Sequence, residues 1–180
     1  AGDPETIRRT LRLCKARGVR AGAHPGYADK ARFGRFRLIL PLRTLLDQIR
    51  AQLDLIRRIS DEEAVPLRYV KLHGALANQA AEEMALAVAV FGAVSAMDSS
   101  LAGLALDNSA QVRAANAVGL KVIREAYADR AYTPEGLLVP RDQPGAMVED
   151  RDAVVERCLR LAEKGEIVAI DGSVLRSEAR

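Results

Sequence analysis

The stretch LAGLALDNSAQVRAANAVGLKVIREA, residues 101–126, determines the fold class of this chain. Its first part, Leu101–Leu106, is a short apolar run that predicts a buried strand. A helix is predicted over Ser109–Val118, with Gly119 at its end, and a second strand over Leu120–Ala126. Two neighbouring strands joined by a helical crossover run parallel. The stretch therefore predicts an α/β protein with a parallel sheet.

The segments on either side continue the alternation of helix and strand. A helix is predicted between Asp3, an N-cap residue that precedes Pro4, and Gly18, a C-cap glycine. The other predicted elements are strand Val19–Ala23, helix Leu42–Ile59, strand Leu67–Leu72, helix Ala80–Met97, helix Asp150–Lys164 and strand Ile167–Ile170. Residues 175–180 are polar and show no regular pattern. We expect one domain over residues 1–180, with every strand in the parallel sheet.

The composition is that of an ordinary globular domain, with 49% hydrophobic and 28% charged residues among 180. Acids are interspersed among the arginines and aromatics are few, which argues against a nucleic-acid-binding protein. The longest apolar run, Met84–Met97, is shorter than the roughly 20 residues that span a bilayer, so we expect a buried helix and no membrane association. Cys14 and Cys158 are expected to be buried, reduced thiols of a cytoplasmic protein without a secretory signal.

Both histidines of the chain directly follow predicted strands. His24 comes after the strand that ends at Ala23, and His73 after the strand that ends at Leu72. In parallel α/β folds the loops after strand carboxyl ends carry the functional site. Imidazole titrates near neutral pH, so each histidine is a candidate acid, base or metal ligand. The alternative is a histidine that only bonds backbone in a turn.

Lys71 is a third candidate at the same strand end. It precedes His73 by two residues, so both side chains lie on one face of the strand. An unpaired lysine inside a barrel would cost several kcal/mol, so a lysine there is either paired or used as an anion anchor or a tuned amine. The alternative places Lys71 against the helix layer, with its ammonium reaching solvent.

The segment Tyr127–Gly145 is the most unusual loop of the chain. It contains rigid Pro and Gly turns together with acidic, basic and aromatic side chains, which is typical of a fixed lid or an anion site. A surface loop held by Asp–Arg pairs is the alternative. Asp29, Asp107 and Asp129 could join the histidines at a metal site, but no paired-histidine spacing is present. The candidate anion ligands are Arg35, Arg130, Tyr132 and Arg141.

Seven motifs occur in an order that resembles the LamB/YcsF family, which contains the A subunit of bacterial ATP-dependent 5-oxoprolinase. They are Ala1-Gly2-Asp3-Pro4, Gly22-Ala23-His24-Pro25-Gly26-Tyr27, Phe33-Gly34-Arg35, Lys71-Leu72-His73-Gly74-Ala75-Leu76, Ala128-Asp129-Arg130-Ala131-Tyr132, Leu138-Val139-Pro140-Arg141 and Pro144-Gly145-Ala146. The resemblance covers essentially the whole chain.

The resemblance implies a distorted seven-stranded β/α barrel, related to the polysaccharide-deacetylase barrels. The family's first strands and its last strand have no counterpart in the sequence, so we expect a barrel that is incomplete at both ends. The family's motif residues that are retained are His24, Lys71, His73, Asp129, Arg130, Tyr132 and Arg141.

The resemblance also implies an activity, the ATP-coupled hydrolysis of 5-oxoproline to L-glutamate. ATP would be used by the complex with B and C subunits, which agrees with the lack of a Walker-type phosphate loop in this sequence. We expect His24, Lys71, His73 and Asp129 to be catalytic, with a histidine as the base. The substrate is a small carboxylate, and Arg35, Arg130, Tyr132 and Arg141 are expected to bind it.

Two other functions stay open at this point. The barrel could be a metal-dependent deacetylase or amidohydrolase, which would need a divalent metal and no ATP. It could instead be a non-catalytic docking subunit for the B and C chains. The sequence leaves the metal content and homo-oligomerisation undecided.

Overall fold

The computed structural model describes residues 2–179, which form a parallel sheet with helices against it and a separate hairpin. The helices are α1 (Pro4–Arg17), α2 (Leu42–Glu63), α3 (Gly74–Glu82), α4 (Met84–Met97), α5 (Ala110–Ala117) and α6 (Arg151–Lys164). The strands are β1 (Ala21–Ala23), β2 (Leu67–Lys71), β3 (Ala102–Leu106), β4 (Lys121–Glu125), β5 (Glu166–Val168) and β6 (Val174–Arg176).

The four strands of the main sheet lie in the order β1-β2-β3-β4, and all are parallel. This confirms the predicted α/β class and the predicted parallel sheet. Lys71, Leu104 and Ile123 lie in one row across β2, β3 and β4. The carboxyl ends of the four strands therefore meet at one edge, where the loops that carry His24 and His73 begin.

The two faces of the sheet have different surroundings. Val70 and Ala105 are fully buried, and Val70 belongs to the main core that α2 and α4 supply. Side chains alternate along a strand, so Lys71 and Ile123 lie on the opposite face. Ile123 is 41% exposed there, and Lys71 is half-buried. The helices thus cover one face, and Lys71 does not face the helix layer.

The predicted ends of the first helix are confirmed in atomic detail. An Asp3 carboxylate oxygen accepts a hydrogen bond from the Thr6 amide at 2.9 Å, which satisfies one of the amides that a helix start leaves without a partner. Gly18 ends the helix at φ 63°, a left-handed conformation that costs glycine little.

The single helix expected over Ala80–Met97 is wrong, because two helices occupy this part of the chain. Glu83 has an extended backbone at φ −103° and ψ 101°, which separates α3 from α4. Arg37, from the loop before α2, forms ion pairs with Glu82 and Glu83 at this break. Continuous apolar residues predicted a helix here, and they contain no signal for the extended backbone at Glu83.

The last predicted strand does not join the parallel sheet. The prediction of an irregular tail is wrong at Leu175 and Arg176, which belong to a strand, while residues 177–179 have no regular structure. β5 pairs antiparallel with β6, which begins at Val174. A turn through Gly172 at φ 88° connects the two strands. Periodicity identified β5 as a strand but could not identify its partner, since pairing depends on contacts outside the segment.

A closed barrel is not formed by residues 2–179, in which β1 and β4 are the edges of an open sheet. The seven-stranded barrel therefore stays a prediction. Within the same range, no helix is both long and apolar enough to cross a membrane. Both cysteines are free thiols, but Cys158 is exposed and Cys14 only half-buried, so their expected burial is wrong. α6, which carries Cys158, contains no fully buried side chain.

Candidate functional site

His24 and His73 lie in contact at the carboxyl edge of the sheet. His24 Nε2 is 3.1 Å from His73 Nδ1, and the two rings meet edge to face with centroids 4.8 Å apart. His24 is exposed and His73 half-buried. The two strand-end histidines come into contact because β1 and β2 are adjacent, parallel strands.

The loops that carry the two histidines are fastened to each other through backbone. The His73 amide donates to the Pro25 carbonyl at 2.8 Å, and the Ala75 amide donates to the Gly34 carbonyl at 3.0 Å. A side chain at Gly74 would place its Cβ 2.4 Å from the Gly34 oxygen, so this approach requires glycine. The position of His73 is therefore set by tightly packed backbone.

In each ring, the nitrogen that does not face the other histidine contacts a backbone carbonyl oxygen. His24 Nδ1 is 2.8 Å from the Lys71 carbonyl oxygen, and His73 Nε2 is 2.7 Å from the Phe33 carbonyl oxygen. Phe33 has φ 54°, a left-handed conformation that is uncommon for a residue with a side chain. Its ring packs edge to face on His73 with centroids 5.1 Å apart. A strained backbone at Phe33 thus directs a carbonyl at His73.

The surroundings of His24 favour its neutral form. The protein atoms packed around the ring disfavour its charged form, which lowers the pKa of His24 below its usual 6.5, and electrostatic repulsion by His73 and Lys71 lowers it further. The bond to the Lys71 carbonyl opposes these effects, since it favours the protonated ring, but it does not outweigh them.

The Lys71 side chain joins the histidine pair to the next strands. Its Nζ lies 2.5 Å from a Glu125 carboxylate oxygen, and the other oxygen of Glu125 accepts a bond from the Tyr127 hydroxyl at 2.8 Å. Nζ also lies 5.1 Å from the centre of the Tyr127 ring. Burial lowers the pKa of Lys71, but the bonds to Glu125 and Tyr127 raise it more, so the ammonium stays charged. Lys71 is therefore a fixed cation and not a tuned neutral amine.

Arg35 lies beside the histidine pair. Its guanidinium carbon is 5.4 Å from the centre of the Phe33 ring, the same ring that packs on His73. The residue is exposed. An anion bound near the two histidines could reach this cation.

The other predicted binding residues belong to the loop after β4. Arg130 is buried and donates to the carbonyls of Val139 and Ala146, at 2.6 Å and 3.3 Å. Burial lowers the pKa of Arg130 from its usual value. In this structure its guanidinium links separate parts of the loop by hydrogen bonds. Substrate binding by Arg130 stays a prediction.

The remaining members of this loop differ in burial. Tyr132 is fully buried, its hydroxyl oxygen accepts a bond from the Tyr127 amide at 2.6 Å, and burial raises its pKa to about 12. Asp129 and Arg141 are exposed, and Arg141 contacts the Met147 sulfur at 3.4 Å. The Tyr127 backbone thus connects this loop to the ion pair of Lys71, while the roles predicted for the loop side chains stay predictions.

Two of the three acids weighed as metal ligands, Asp107 and Asp29, have other partners. The buried Asp107 accepts bonds from Arg124, Ser177 and the amide of Glu178. Asp29 is 3.0 Å from the Arg32 guanidinium. Within residues 2–179, no three His, Cys, Asp or Glu side chains are grouped so that they could hold a metal ion.

A comparison with known families identifies the chain. The model of the LamB/YcsF family matches residues 1–180. The chain belongs to the LamB/YcsF family. The resemblance inferred from the seven motifs is therefore confirmed.

Relatives of this LamB/YcsF chain carry informative names. It is 43% identical over 179 residues to a 5-oxoprolinase A subunit of Pseudomonas syringae pv. tomato, a match that covers 99% of this chain and 70% of that protein. It is 44% identical to the 5-oxoprolinase A subunit of Kocuria rhizophila, with 99% and 71% covered. The solved structure of a lactam utilization protein from Thermus thermophilus superposes with a TM-score of 0.90 at 35% identity, covering 99% of this chain and 72% of that one.

Two residues of the site in this LamB/YcsF chain were not found from the sequence. In the sequence, Glu125 is an ordinary member of a predicted strand, and Tyr127 is the first residue of the loop that follows it. Glu125 is two residues after Ile123 in β4, so alternation places it on the face that carries Lys71. The sequence signal for Glu125 is therefore its position: it is an acidic residue at the carboxyl end of a parallel strand, on the sheet face that carries Lys71.

Proposed function

We propose that this LamB/YcsF chain opens the lactam ring of 5-oxoproline to give L-glutamate, as the A subunit of a cytoplasmic, ATP-dependent enzyme with B and C subunits. Relatives about 40% identical over nearly the whole chain are named as A subunits of 5-oxoprolinase, and this supports the proposal. The observation that carries it is the contact of His24 with His73 beside the cation of Lys71.

The chemistry of a lactam explains why such a site is needed. The amide is stabilised by resonance, so its carbonyl carbon must be activated before water adds to it. In our proposal the partner subunits transfer a phosphoryl group from ATP to the amide oxygen. Water then adds to the activated carbon, the carbon–nitrogen bond breaks, and the nitrogen takes up a proton, which leaves an acyl phosphate. A second water hydrolyses this acyl phosphate to L-glutamate and inorganic phosphate.

Each group at the carboxyl edge suits one part of this reaction. The histidine pair handles the protons, because imidazole is a common acid or base in enzymes and His24 is exposed. Lys71 and Arg35 offer positive charge to the substrate carboxylate or to the phosphoryl group. In the seven-stranded barrel that we also propose, the face that carries Lys71 would form the interior. Asp129, Arg130, Tyr132 and Arg141 are proposed to act from the neighbouring loop.

The first test is the release of glutamate from 5-oxoproline by the full-length protein with its B and C partners. We expect release only when ATP and all three chains are present. Absence of release in every combination would contradict the proposal. Release without ATP would instead support the metal-dependent amidohydrolase, and metal analysis would follow.

The variant His73→Ala separates an enzyme from a docking subunit. We expect turnover to fall by about 10²- to 10⁴-fold, the usual contribution of a general acid or base, while the complex still assembles. Size-exclusion chromatography of the three chains provides the control for assembly. Unchanged turnover in an intact complex would favour the docking subunit.

A further inference from the structure

Asp29 is a buried acid in an otherwise exposed loop. Its side chain is only 10% exposed, whereas Ala28, Lys30 and residues 31–33 are all exposed. Its ion-pair partner is Arg32, whose Nε lies 3.0 Å from Asp29 Oδ2. This contact does not have the geometry of a hydrogen bond, and no group within the described residues 2–179 donates one to Oδ2. Acids in loops are mostly exposed to water, so the burial of this one indicates a structural task.

The hydrogen bonds of Asp29 enclose Phe33 from both sides. Asp29 Oδ1 accepts a bond from the Arg32 amide at 3.3 Å, and the Asp29 carbonyl accepts one from the Gly34 amide at 2.8 Å. Arg32 and Gly34 are the residues directly before and after Phe33. The amide of Asp29 itself donates to the Tyr27 carbonyl at 2.8 Å, which fixes the start of the turn. Side chain and backbone of one residue thus hold the whole turn.

Phe33 needs this enclosure because its backbone conformation is unfavourable. At φ 54° it occupies the left-handed region, in which a residue with a side chain persists only where surrounding contacts enforce it. The conformation matters for the site, since the Phe33 carbonyl oxygen lies 2.7 Å from His73 Nε2. The Phe33 ring also packs edge to face on His73. Two contacts of His73 therefore depend on the backbone of one strained residue.

We propose that Asp29 is a positioning residue for His73: its bonds hold Phe33 in the left-handed conformation, and Phe33 in turn holds the His73 ring. The same turn places Arg35, whose amide donates to the Arg32 carbonyl at 3.1 Å. An effect of Asp29 on turnover rests on the proposed function, in which His73 moves protons and Arg35 binds an anion. The position of the His73 ring does not depend on that function.

Three variants separate the hydrogen bond of the Asp29 side chain from its ion pair. Asp29→Ala removes the acceptor of the Arg32 amide, whereas Asp29→Asn keeps an oxygen that accepts this bond. The Arg32 side chain is 52% exposed, so it can turn away from the new amide group. Arg32→Ala removes the ion pair and leaves the backbone amide in place. We expect Asp29→Ala to release His73, and the other two variants to leave it in position.

The chain offers a matched control on α2. Asp47 and Arg50 form an ion pair with the same spacing of three residues, at 3.2 Å, but both side chains are exposed. Asp47→Ala therefore removes an Asp–Arg pair without touching the turn that holds Phe33. We expect the His73 ring to be the same in this variant as in wild type.

Carbon NMR of the His73 ring provides a readout that needs no turnover. The full-length protein is labelled with ¹³C-histidine, and the ring signals that disappear in His73→Asn are those of His73. In Asp29→Ala we expect these signals to shift and the order parameter of the ring to fall. An unchanged ring in a folded Asp29→Ala protein would overturn the proposal. Release of the ring in Arg32→Ala would also overturn it, even if Asp29→Ala does not fold, because the ion pair would then hold the turn.

Turnover by the complete complex tests the consequence for the reaction. We expect kcat for glutamate release to fall about 10²-fold in Asp29→Ala, the cost of displacing a reacting group by roughly 1 Å, and Asp29→Asn to restore most of it. Arg32→Ala and Asp47→Ala should keep the kcat of wild type. A released ring with unchanged kcat would overturn the effect of Asp29 on turnover. If wild type releases no glutamate in any combination, the proposed function fails, while the NMR result still decides whether Asp29 positions His73.

Discussion

At the scale of single residues, Gly74 decides where His73 lies. It has φ 57° and contacts the backbone of Gly34 so closely that a Cβ atom would lie 2.4 Å from the carbonyl oxygen. Gly18 has nearly the same backbone, with φ 63°, but nothing lies within 4 Å of its missing side chain. Alanine substitutions at the two positions can therefore separate the free-energy cost of the left-handed backbone from the cost of steric crowding.

We expect Gly74→Ala to destabilise the protein more than Gly18→Ala. The left-handed conformation alone costs an alanine about 1–2 kcal/mol, which applies to both sites. Overpacking against backbone adds roughly 1–3 kcal/mol at Gly74 only. Urea unfolding of both variants measures the difference. Equal losses of stability would contradict the crowding that we describe at Gly74.

Asp107 links β4 to the residues that follow β6. Its buried carboxylate accepts bonds from Arg124 on β4 and from Ser177 and Glu178 beyond β6. Burial raises the pKa of Asp107, but these bonds and that of Asn108 lower it more, so it lies below the usual 3.8. The charged form is therefore the stabilising one.

Asp107→Asn should lower the free energy of unfolding by about 1–3 kcal/mol, because its amide turns a donor toward other donors. The exposed Asp54, which pairs only with Arg57, provides a control: Asp54→Asn should change stability by less than about 0.5 kcal/mol. The contribution of Asp107 is complete above its unfolded pKa and is lost as the pH falls through its lower folded pKa. The difference in unfolding free energy between wild type and Asp107→Asn should thus decrease below pH 3.8.

At the scale of elements, α1 and α2 are joined by a group of charges around Glu63. Arg8 and Arg12 of α1 bind its carboxylate at 2.8 Å and 2.7 Å, and Lys15 donates to its carbonyl. The bonds from Arg12 and then Arg8 lower the pKa of Glu63 from 4.5 to about 2. A small core that includes Leu11 of α1 and Ile59 of α2 packs between the same two helices.

Glu63→Gln should lower the thermal midpoint at pH 7, and the difference from wild type should shrink as the pH falls from 4.5 toward 2. The sign follows from the lowered pKa, because protonation removes the charge that the two arginines bind. Added salt should also shrink the difference. Glu62→Gln, which loses one bond to Arg8, should have the smaller effect. A difference independent of both pH and salt would exclude an electrostatic origin.

At the scale of the whole molecule, the hydrophobic cores are unequal. The main core joins α2, α4 and α5 to the central strand β2, whereas the hairpin of β5 and β6 packs through a smaller cluster that contains Ile167, Tyr132 and Leu106 of β3. The hairpin is also held by Asp107 and by the bond from the Ile170 amide to the Tyr132 carbonyl. Regions with fewer buried apolar contacts open at lower free energy.

Hydrogen exchange should therefore separate the two parts. Amides of β2 and β3 should exchange slowest, at a rate set by global unfolding, and those of β5 and β6 should exchange through local opening. Asp107→Asn should accelerate exchange in the hairpin much more than in β2. Equal protection of hairpin and central strands would show that they unfold as one unit.

The sequence by itself determined the local structure, the fold class and the family. The capped α1, the parallel strands and the strand-end positions of His24 and His73 follow from spacing and capping, which act within a few residues. Seven ordered motifs were enough to identify LamB/YcsF, as the match over residues 1–180 confirms.

Only the tertiary structure decided which groups meet. The break at Glu83, the pairing of β5 with β6, and the bond from Lys71 to Glu125 each join residues far apart in the chain. The contact between the two histidines is also a tertiary property, because His24 and His73 lie on separate loops. Such contacts leave no periodic signal in the sequence, since each partner is an ordinary residue in its own segment.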